Sequence, residues 1–255
     1  MNEYALITGA SSGIGLAFAH TFAQKGHNLI LVARSEDKLK AIAADLSSKY
    51  SIKVEVVVKD LSLAVSSDQL YTDVKKAGWY VKYLVNNAGL GVGGKFLEAD
   101  LQDNVNLVNL NIINLIKLTN LFGKEMLEGQ GGKILNVASI AAFFPGPFLS
   151  TYYASKSFVL SFTEALAAEY SQSNVSFTAL CPGLTESKFG ERAGVEKSSF
   201  WTQKKMKADE VTEIGYKALM KGQTIVIPGI TNRIFVSIAK RMPRALLAKL
   251  IKSLF

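Results

Sequence analysis

Tyr152 and Lys156 are the residues whose types and spacing most directly suggest chemistry. They stand four apart in Thr151-Tyr152-Tyr153-Ala154-Ser155-Lys156, so on a helix both project from one face, one turn apart. A phenol with a pKa of about 10 is a poor base and a hesitant acid at neutral pH. A neighbouring ammonium favours the phenolate and lowers that value. The pair is then expected to exchange a proton with a substrate oxygen near pH 7. Such pairs also arise by chance on amphipathic helices, so the reading rests on what accompanies this one.

The glycine-rich run Gly9-Ala10-Ser11-Ser12-Gly13-Ile14-Gly15 follows an apolar strand, Tyr4 to Thr8. It leads into an apolar helix from about Ile14 to Lys25. Strand, glycine turn and helix together present backbone N–H groups and a positive helix end to a phosphate. The spacing is G-x-x-x-G-x-G rather than the commoner G-x-G-x-x-G, but the glycines serve the same turn, close approach and packing. A second buried strand, Asn28 to Ala33, ends at Arg34. In dinucleotide-binding folds an acid near this point bonds the ribose 2′-OH, whereas an Arg accommodates a 2′-phosphate. Ala33 followed by Arg34 therefore points to NADP(H) in preference to NAD(H).

The elements that must position these residues alternate along the chain. Helical periodicity runs over residues 35–50, 64–77, 100–128, 151–171 and 209–221, and strands are expected at 52–58, 81–85, 133–138, 174–180 and 223–227. Alternation of this kind implies βαβ units and a parallel sheet, which binds ligands beyond the carboxyl ends of its strands. Gly9, Arg34, Asp60 and Asn87 all fall at such ends. The irregular, polar stretch 186–207 has the length of a functional lid.

Composition narrows the function classes. The chain has 255 residues and one cysteine, Cys181, which is read as a small buried hydrophobe. No intrachain disulfide and no Cys/His zinc pattern is possible, so no metal is expected. No run of 18 apolar residues and no signal-peptide pattern is present, and a cytoplasmic location is expected. Of the net charge of +8, the stretch 231–255 supplies six through Arg233, Lys240, Arg241, Arg244, Lys249 and Lys252, with no acid. The remaining +2 spread over 230 residues argues against a nucleic-acid binder. His20 and His27 lack partner residues and are read as surface or capping residues, and Trp79 and Tyr80 as packing.

With these motifs in order, the chain resembles the short-chain dehydrogenase/reductase family, in its compact single-domain branch, over about its first 230 residues. Thr8-Gly-Ala-Ser-Ser-Gly-Ile-Gly15 matches the coenzyme motif, Asp60 with Leu61 the residues near the adenine ring, and Asn86-Asn87-Ala88-Gly89 the motif that steadies the central sheet. Ser139, Tyr152 and Lys156 match the catalytic set, and Pro182, Gly183 and Thr185 the segment beside the nicotinamide. The family pattern of Asn, then Thr eight residues on and Met seven further, fits Asn111, Thr119 and Met126, with Asn109 and Asn114 as alternatives. Tyr153 has no Lys four residues on. Ser187 stands where the family often has Thr and keeps the hydroxyl.

The resemblance implies a single-domain Rossmann-type α/β fold, a doubly wound parallel sheet of about seven strands with helices on both faces. It also implies hydride transfer between nicotinamide and a small-molecule carbonyl or alcohol. Tyr152 would give the proton, Lys156 would lower its pKa and hold the nicotinamide ribose, and Ser139 would hydrogen-bond the carbonyl oxygen. Asn111 would order a water that relays protons to Lys156. Phe143, Phe144, Phe189, Phe200 and Trp201 suggest an apolar substrate: a 3-oxoacyl, steroid-like or aromatic ketone. The competing reading is an NADP(H)-binding regulator or redox sensor without turnover, which has no need of an acid. A homodimer or homotetramer is the expected assembly.

Residues 231–255 go beyond the 1–230 domain. Ile234, Phe235, Ile238 and Met242 mark one apolar face, and Leu246, Leu247, Leu250, Ile251 and Leu254 a second after Pro243. Such a basic amphipathic segment packs on the body or a partner subunit, or lies on an anionic membrane surface. The first is preferred: the apolar side is expected to be covered near the lid and the basic side left in water.

Overall fold

The computed structural model describes residues 3–196, 198 and 202–254. Phe200 and Trp201, which the sequence places in the lid, lie outside the described residues. Seven strands form one sheet in the order β3-β2-β1-β4-β5-β6-β7, and every pair is parallel. They are β1 (Glu3–Thr8), β2 (Asn28–Ala33), β3 (Val54–Val58), β4 (Tyr80–Asn86), β5 (Gly132–Val137), β6 (Val175–Leu180) and β7 (Ile225–Val226). The helices in chain order are α1 (Gly13–Gln24), α2 (Glu36–Tyr50), α3 (Ser66–Lys76), α4 (Leu101–Val108) and α5 (Asn114–Glu128). There follow α6 (Ser150–Glu169), α7 (Phe189–Arg192), α8 (Ala208–Met220), α9 (Ile230–Ala239) and α10 (Arg244–Lys252).

The sheet is buried on both faces, and the strand period divides its side chains between two cores. Ala5, Ile7, Leu29 and Leu31 point to one side and pack with Phe18, Phe22, Leu39 and Leu219. Tyr4, Leu6, Ile30 and Val32 point to the other and pack with Leu70, Leu118, Phe122 and Met126. The order in which strands are added reverses between β1 and β4, so the crevice at their carboxyl ends is where a doubly wound sheet binds ligand.

Two polar clamps hold that crevice in shape. Thr8 Oγ1 accepts from the N–H groups of Asn87 and Ala88, at 2.9 and 3.0 Å, while Asn87 Nδ2 donates to Thr8 O at 2.9 Å. One layer deeper, Asn86 Nδ2 donates to Asn136 Oδ1 at 2.9 Å and to Thr119 Oγ1 at 3.1 Å, and Asn136 Nδ2 donates to Thr163 Oγ1 at 3.0 Å. Buried polar groups joined this way fix the relative placement of β4, β5, α5 and α6.

The single long helix expected over residues 100–128 is interrupted. Between α4 and α5 the chain makes a π turn, Asn109–Ile113. The backbone N–H and the side-chain Nδ2 of Asn114 both donate to Asn109 O, the latter at 3.1 Å, which satisfies the widened turn. The helical stretch Leu101–Glu128 is long and apolar enough by composition to cross a membrane, but here its inner side is core. Among the other tempting residues, Cys181 is buried, His27 bonds the Tyr216 hydroxyl at 2.8 Å, and Trp79 packs on Tyr4.

Candidate active site

A cavity of about 200 Å³ opens beyond the carboxyl ends of β1, β4, β5 and β6. A second hollow continues it past the end of β2, along Arg34, Asp60 and Leu61. Among the described residues, every one expected to bind cofactor or act in catalysis lines one or both, except Gly15 and Asn111; of the rings expected to face substrate, Phe144 and Phe189 line the cavity and Phe143 does not. Gly15 lies beneath the loop, where any Cβ would collide with Gly9 O and the Asn87 amide. Gly9 itself has φ +68°, a left-handed conformation that a side chain would strain. The loop delivers α1 with no side-chain cap on its first N–H groups and no acid in its first turn. Those donors remain available to an anion.

The groups expected to react converge from two places, the turn after β5 and the start of α6. Ser139 ends β5 and caps a short 3-10 turn, Ile140–Phe143, that periodicity did not reveal; its Oγ accepts from Ala141 N–H at 3.1 Å and donates to Pro182 O at 3.4 Å. Tyr152, on the first turn of α6, faces Ser139 in the cavity that both line, close enough for the serine hydroxyl to act on the phenol. Lys156, one turn on and 6% exposed, donates from Nζ to Val137 O at 2.7 Å and lies 5.8 Å from the Tyr152 ring centre. Tyr153, by contrast, turns into an apolar cluster against Phe144.

The electrostatics reverse one expectation. Proximity to Lys156 was expected to lower the Tyr152 pKa. Burial instead pushes the phenol up to about 12, with the Ser139 hydroxyl opposing it. Burial likewise brings Lys156 down to about 8. Desolvation penalises the charged form of each and is the largest cause of both shifts.

Asn111 sits in the π turn, 1% exposed. Its Oδ1 accepts from Leu90 N–H at 2.9 Å, and its Nδ2 donates to Leu90 O and to Ser155 Oγ, each at 3.0 Å. A Cβ placed on Gly89 would lie 3.3 Å from Asn111 Oδ1 and 3.6 Å from Lys156 Nζ, so both polar atoms border that glycine. Asn114 instead donates to Leu61 O. Asn109 borders a separate open groove between α4 and α6.

At the far end, Arg34 Nη1 lies 3.7 Å from Asp60 Oδ2, and two-thirds of the Arg34 side chain is open to solvent. The Asp60 carboxyl is held below its ordinary value. Partial burial pushes it up, but hydrogen bonds from the Ser62 N–H and hydroxyl, with the Arg34 charge, outweigh that.

Sequence reasoning missed Arg192. The stretch 186–207 is anchored at its ends, where Glu186 N–H donates to Met206 O and Met206 N–H to Leu184 O, both at 2.9 Å. Between them α7 places Phe189 against the Tyr152 ring, 4.9 Å between centres, and Arg192 over the glycine loop. Arg192 Nη2 donates to Ser12 Oγ at 3.3 Å, and the residue borders both hollows. No fixed spacing ties it to the loop, so only the fold could reveal it.

The tail closes the apolar end. Val236, Ala239, Leu247 and Ile251 are buried with Ile140, Phe144, Leu149 and Tyr153, of which all four border the main cavity. The covered side is therefore near the lid, as expected. Its composition differs: Ile234, Ile238, Leu246 and Leu250 remain exposed.

Comparisons with known proteins agree with this geometry. A family model described as short chain dehydrogenase matches residues 3–198. A very-long-chain 3-oxoacyl-CoA reductase of Pyrenophora tritici-repentis is 39% identical over 170 residues, 65% of this chain. The human 17-beta-hydroxysteroid dehydrogenase type 3 is 36% identical over 187 residues, 71% of this chain and 59% of its own. The match to the Pyrenophora reductase spans 50% of that protein's length. Among solved structures, a short-chain dehydrogenase from Sphingobium yanoikuyae in complex with NADPH superposes with a TM-score of 0.83 at 28% identity, over 96% of this chain and 98% of that one.

Proposed function

The chain belongs to the short chain dehydrogenase family, oxidoreductases that use a nicotinamide cofactor, and from that premise we propose that it is an NADPH-dependent reductase of an apolar carbonyl compound, a 3-oxoacyl thioester first. The observation that carries this reading is the gathering of Ser139, Tyr152 and buried Lys156 in one cavity whose far wall is Phe144, Leu149, Tyr153 and Phe189. The uncapped start of α1 and the flat floor at Gly9 and Gly13 suit a pyrophosphate, and buried Lys156 suits a ribose, so the residues fit the cofactor. When bound, the cofactor supplies or accepts the hydride.

This chain's residues would do the rest. Tyr152 gives its hydroxyl proton to the carbonyl oxygen, and Ser139 hydrogen-bonds that oxygen as charge develops. Lys156, whose pKa burial brings down to about 8, would return a proton to Tyr152. Asn111 positions the Leu90 loop and Ser155, and holds the relay water. Arg34 takes the 2′-phosphate, which favours NADP(H) over NAD(H), and Arg192 takes the pyrophosphate from the lid side. Residues 1–230 form the catalytic body and 231–255 an extension to it. Exposed Phe96, Leu97 and Leu101 beside α4 support a homodimer or homotetramer, and the expected setting is the cytoplasm.

The test is NADPH consumption with 3-oxoacyl thioesters of increasing length, bulky aromatic and steroid ketones, and short polar ketones. A kcat/KM that rises with apolar size supports the reading. NADPH binding without turnover of any of them overturns it in favour of a cofactor-binding regulator.

A further inference from the structure

The last two helices each carry two apolar sides, and the body covers only one. On α9 the exposed residues Ile230, Ile234 and Ile238 recur every four positions, a single stripe along the helix, at 67%, 54% and 55% exposure. On α10 Leu246 and Leu250 repeat the pattern at 53% and 45%. Around them stand the six cations of residues 231–255, with no acid in that stretch. Among the described residues none of the six pairs with a carboxylate. Arg233 and Arg241 spend hydrogen bonds only on nearby backbone and Ser237, and Lys240 lies over the Phe143 ring.

Apolar stripes left in water are costly and mark an interaction surface. What covers it must accept isoleucine and leucine side chains and also neutralise a one-signed field. A second copy docked tail to tail would bring six more cations against the first six, and like charges so juxtaposed are unfavourable. An anionic bilayer satisfies both demands, taking the apolar stripe between its headgroups and the cations at the headgroup level. We propose that α9 and α10 dock this protein on an anionic membrane surface. Their inner sides meanwhile pack against Phe144, Leu149 and Tyr153, so the apolar end of the cavity lies directly behind the docking surface.

The full chain would be floated with vesicles of phosphatidylcholine containing phosphatidylglycerol, and with phosphatidylcholine alone. Two double variants, Ile234→Ser with Ile238→Ser and Lys249→Gln with Lys252→Gln, change only exposed side chains. Retained NADPH binding and melting temperature would show that both are folded. The unaltered protein is expected to float with the anionic vesicles, and less as salt is raised. Each neutralised lysine should weaken partition about fivefold, so the pair about 25-fold. The serine pair should weaken it on both kinds of vesicle. No flotation with anionic vesicles, or flotation equal in all three proteins, overturns the proposal. So does a dimer, seen by light scattering, that the serine pair dissociates, since the stripe would then belong to a second copy. None of these readouts involves turnover, so a negative result leaves the proposed reaction standing.

Discussion

Replacing Lys156 by Met removes a buried ammonium while keeping most of its stem, and the structure sets both the sign and the size of the effect. Burial moves this lysine from its ordinary 10.5 to about 8. A lowered folded-state value means that the charged form is disfavoured by folding. The penalty is fully present below the folded value, fades as pH rises from about 8, and is gone above 10.5. The difference between the two values corresponds to about 3 kcal/mol. Near pH 9.5 only about 1 kcal/mol of it remains. Loss of the 2.7 Å bond to Val137 O works the other way, by about 1–3 kcal/mol, but does not vary with pH once the lysine is gone. Tyr152 and Cys181, both pushed up to about 12, stay neutral throughout. Urea unfolding of both proteins at pH 7 and pH 9.5 isolates the effect. The stability of Lys156→Met relative to the parent should fall by about 2 kcal/mol between the two conditions. A difference that is constant, or that grows with pH, would refute the claim that burial governs this lysine.

Tyr152→Phe keeps the ring and removes the proton donor, so steady-state reduction should drop by two or more orders of magnitude, about the scale of general acid catalysis. NADPH titration should be nearly unchanged, and Tyr153→Phe should retain most of the activity. Arg34→Ala should erase most of the gap between NADPH and NADH affinity, which charge-assisted bonds to the 2′-phosphate would set at roughly tenfold to a hundredfold. Equal affinities in the parent protein would sink that assignment. Arg192→Ala should instead weaken NADPH and NADH alike, by about tenfold for one charge-assisted contact. A selective effect on NADPH would move Arg192 to the 2′-phosphate.

The sheet was legible because burial on both faces leaves a strong signal: β1 and β2 are almost wholly apolar, and Gly9 turns the chain directly after β1. Strand ends were less legible. Residues 52 and 53 read as strand, yet β3 starts at Val54, and of the expected 223–227 only Ile225–Val226 pair. The π turn was hidden because its driving feature, Asn114 folding back on Asn109, involves asparagines that look like any other polar position of a long helix. In the tail, composition marks the apolar residues but not which side meets the body. Val236 and Ala239 are buried with Phe235 set edge-on against Phe144, while the equally apolar Ile234 and Ile238 face out. Spacing likewise placed Lys156 near Tyr152, but it carries no measure of desolvation, and desolvation decides the direction of both pKa values.

The division between what was legible and what was not follows the mechanics of the site. Groups that need fixed geometry sit on the most rigid parts: Ser139 at the end of a central strand, Tyr152 and Lys156 on a helix tied through Thr163 to the Asn86–Asn136 network. Such positions are local in sequence, so a motif can report them. Contacts that set affinity and access come from the lid and tail, whose partners are remote. Arg192 meets Ser12 across 180 positions, and Asn232 of α9 lies where any side chain on Gly183 would strike it. Phe189 and Arg192 also share a four-residue helix, so the ring against Tyr152 and the guanidinium above the glycine loop cannot move independently. A rigid shift of this helix would move the guanidinium over the glycine loop and the ring over the phenol together.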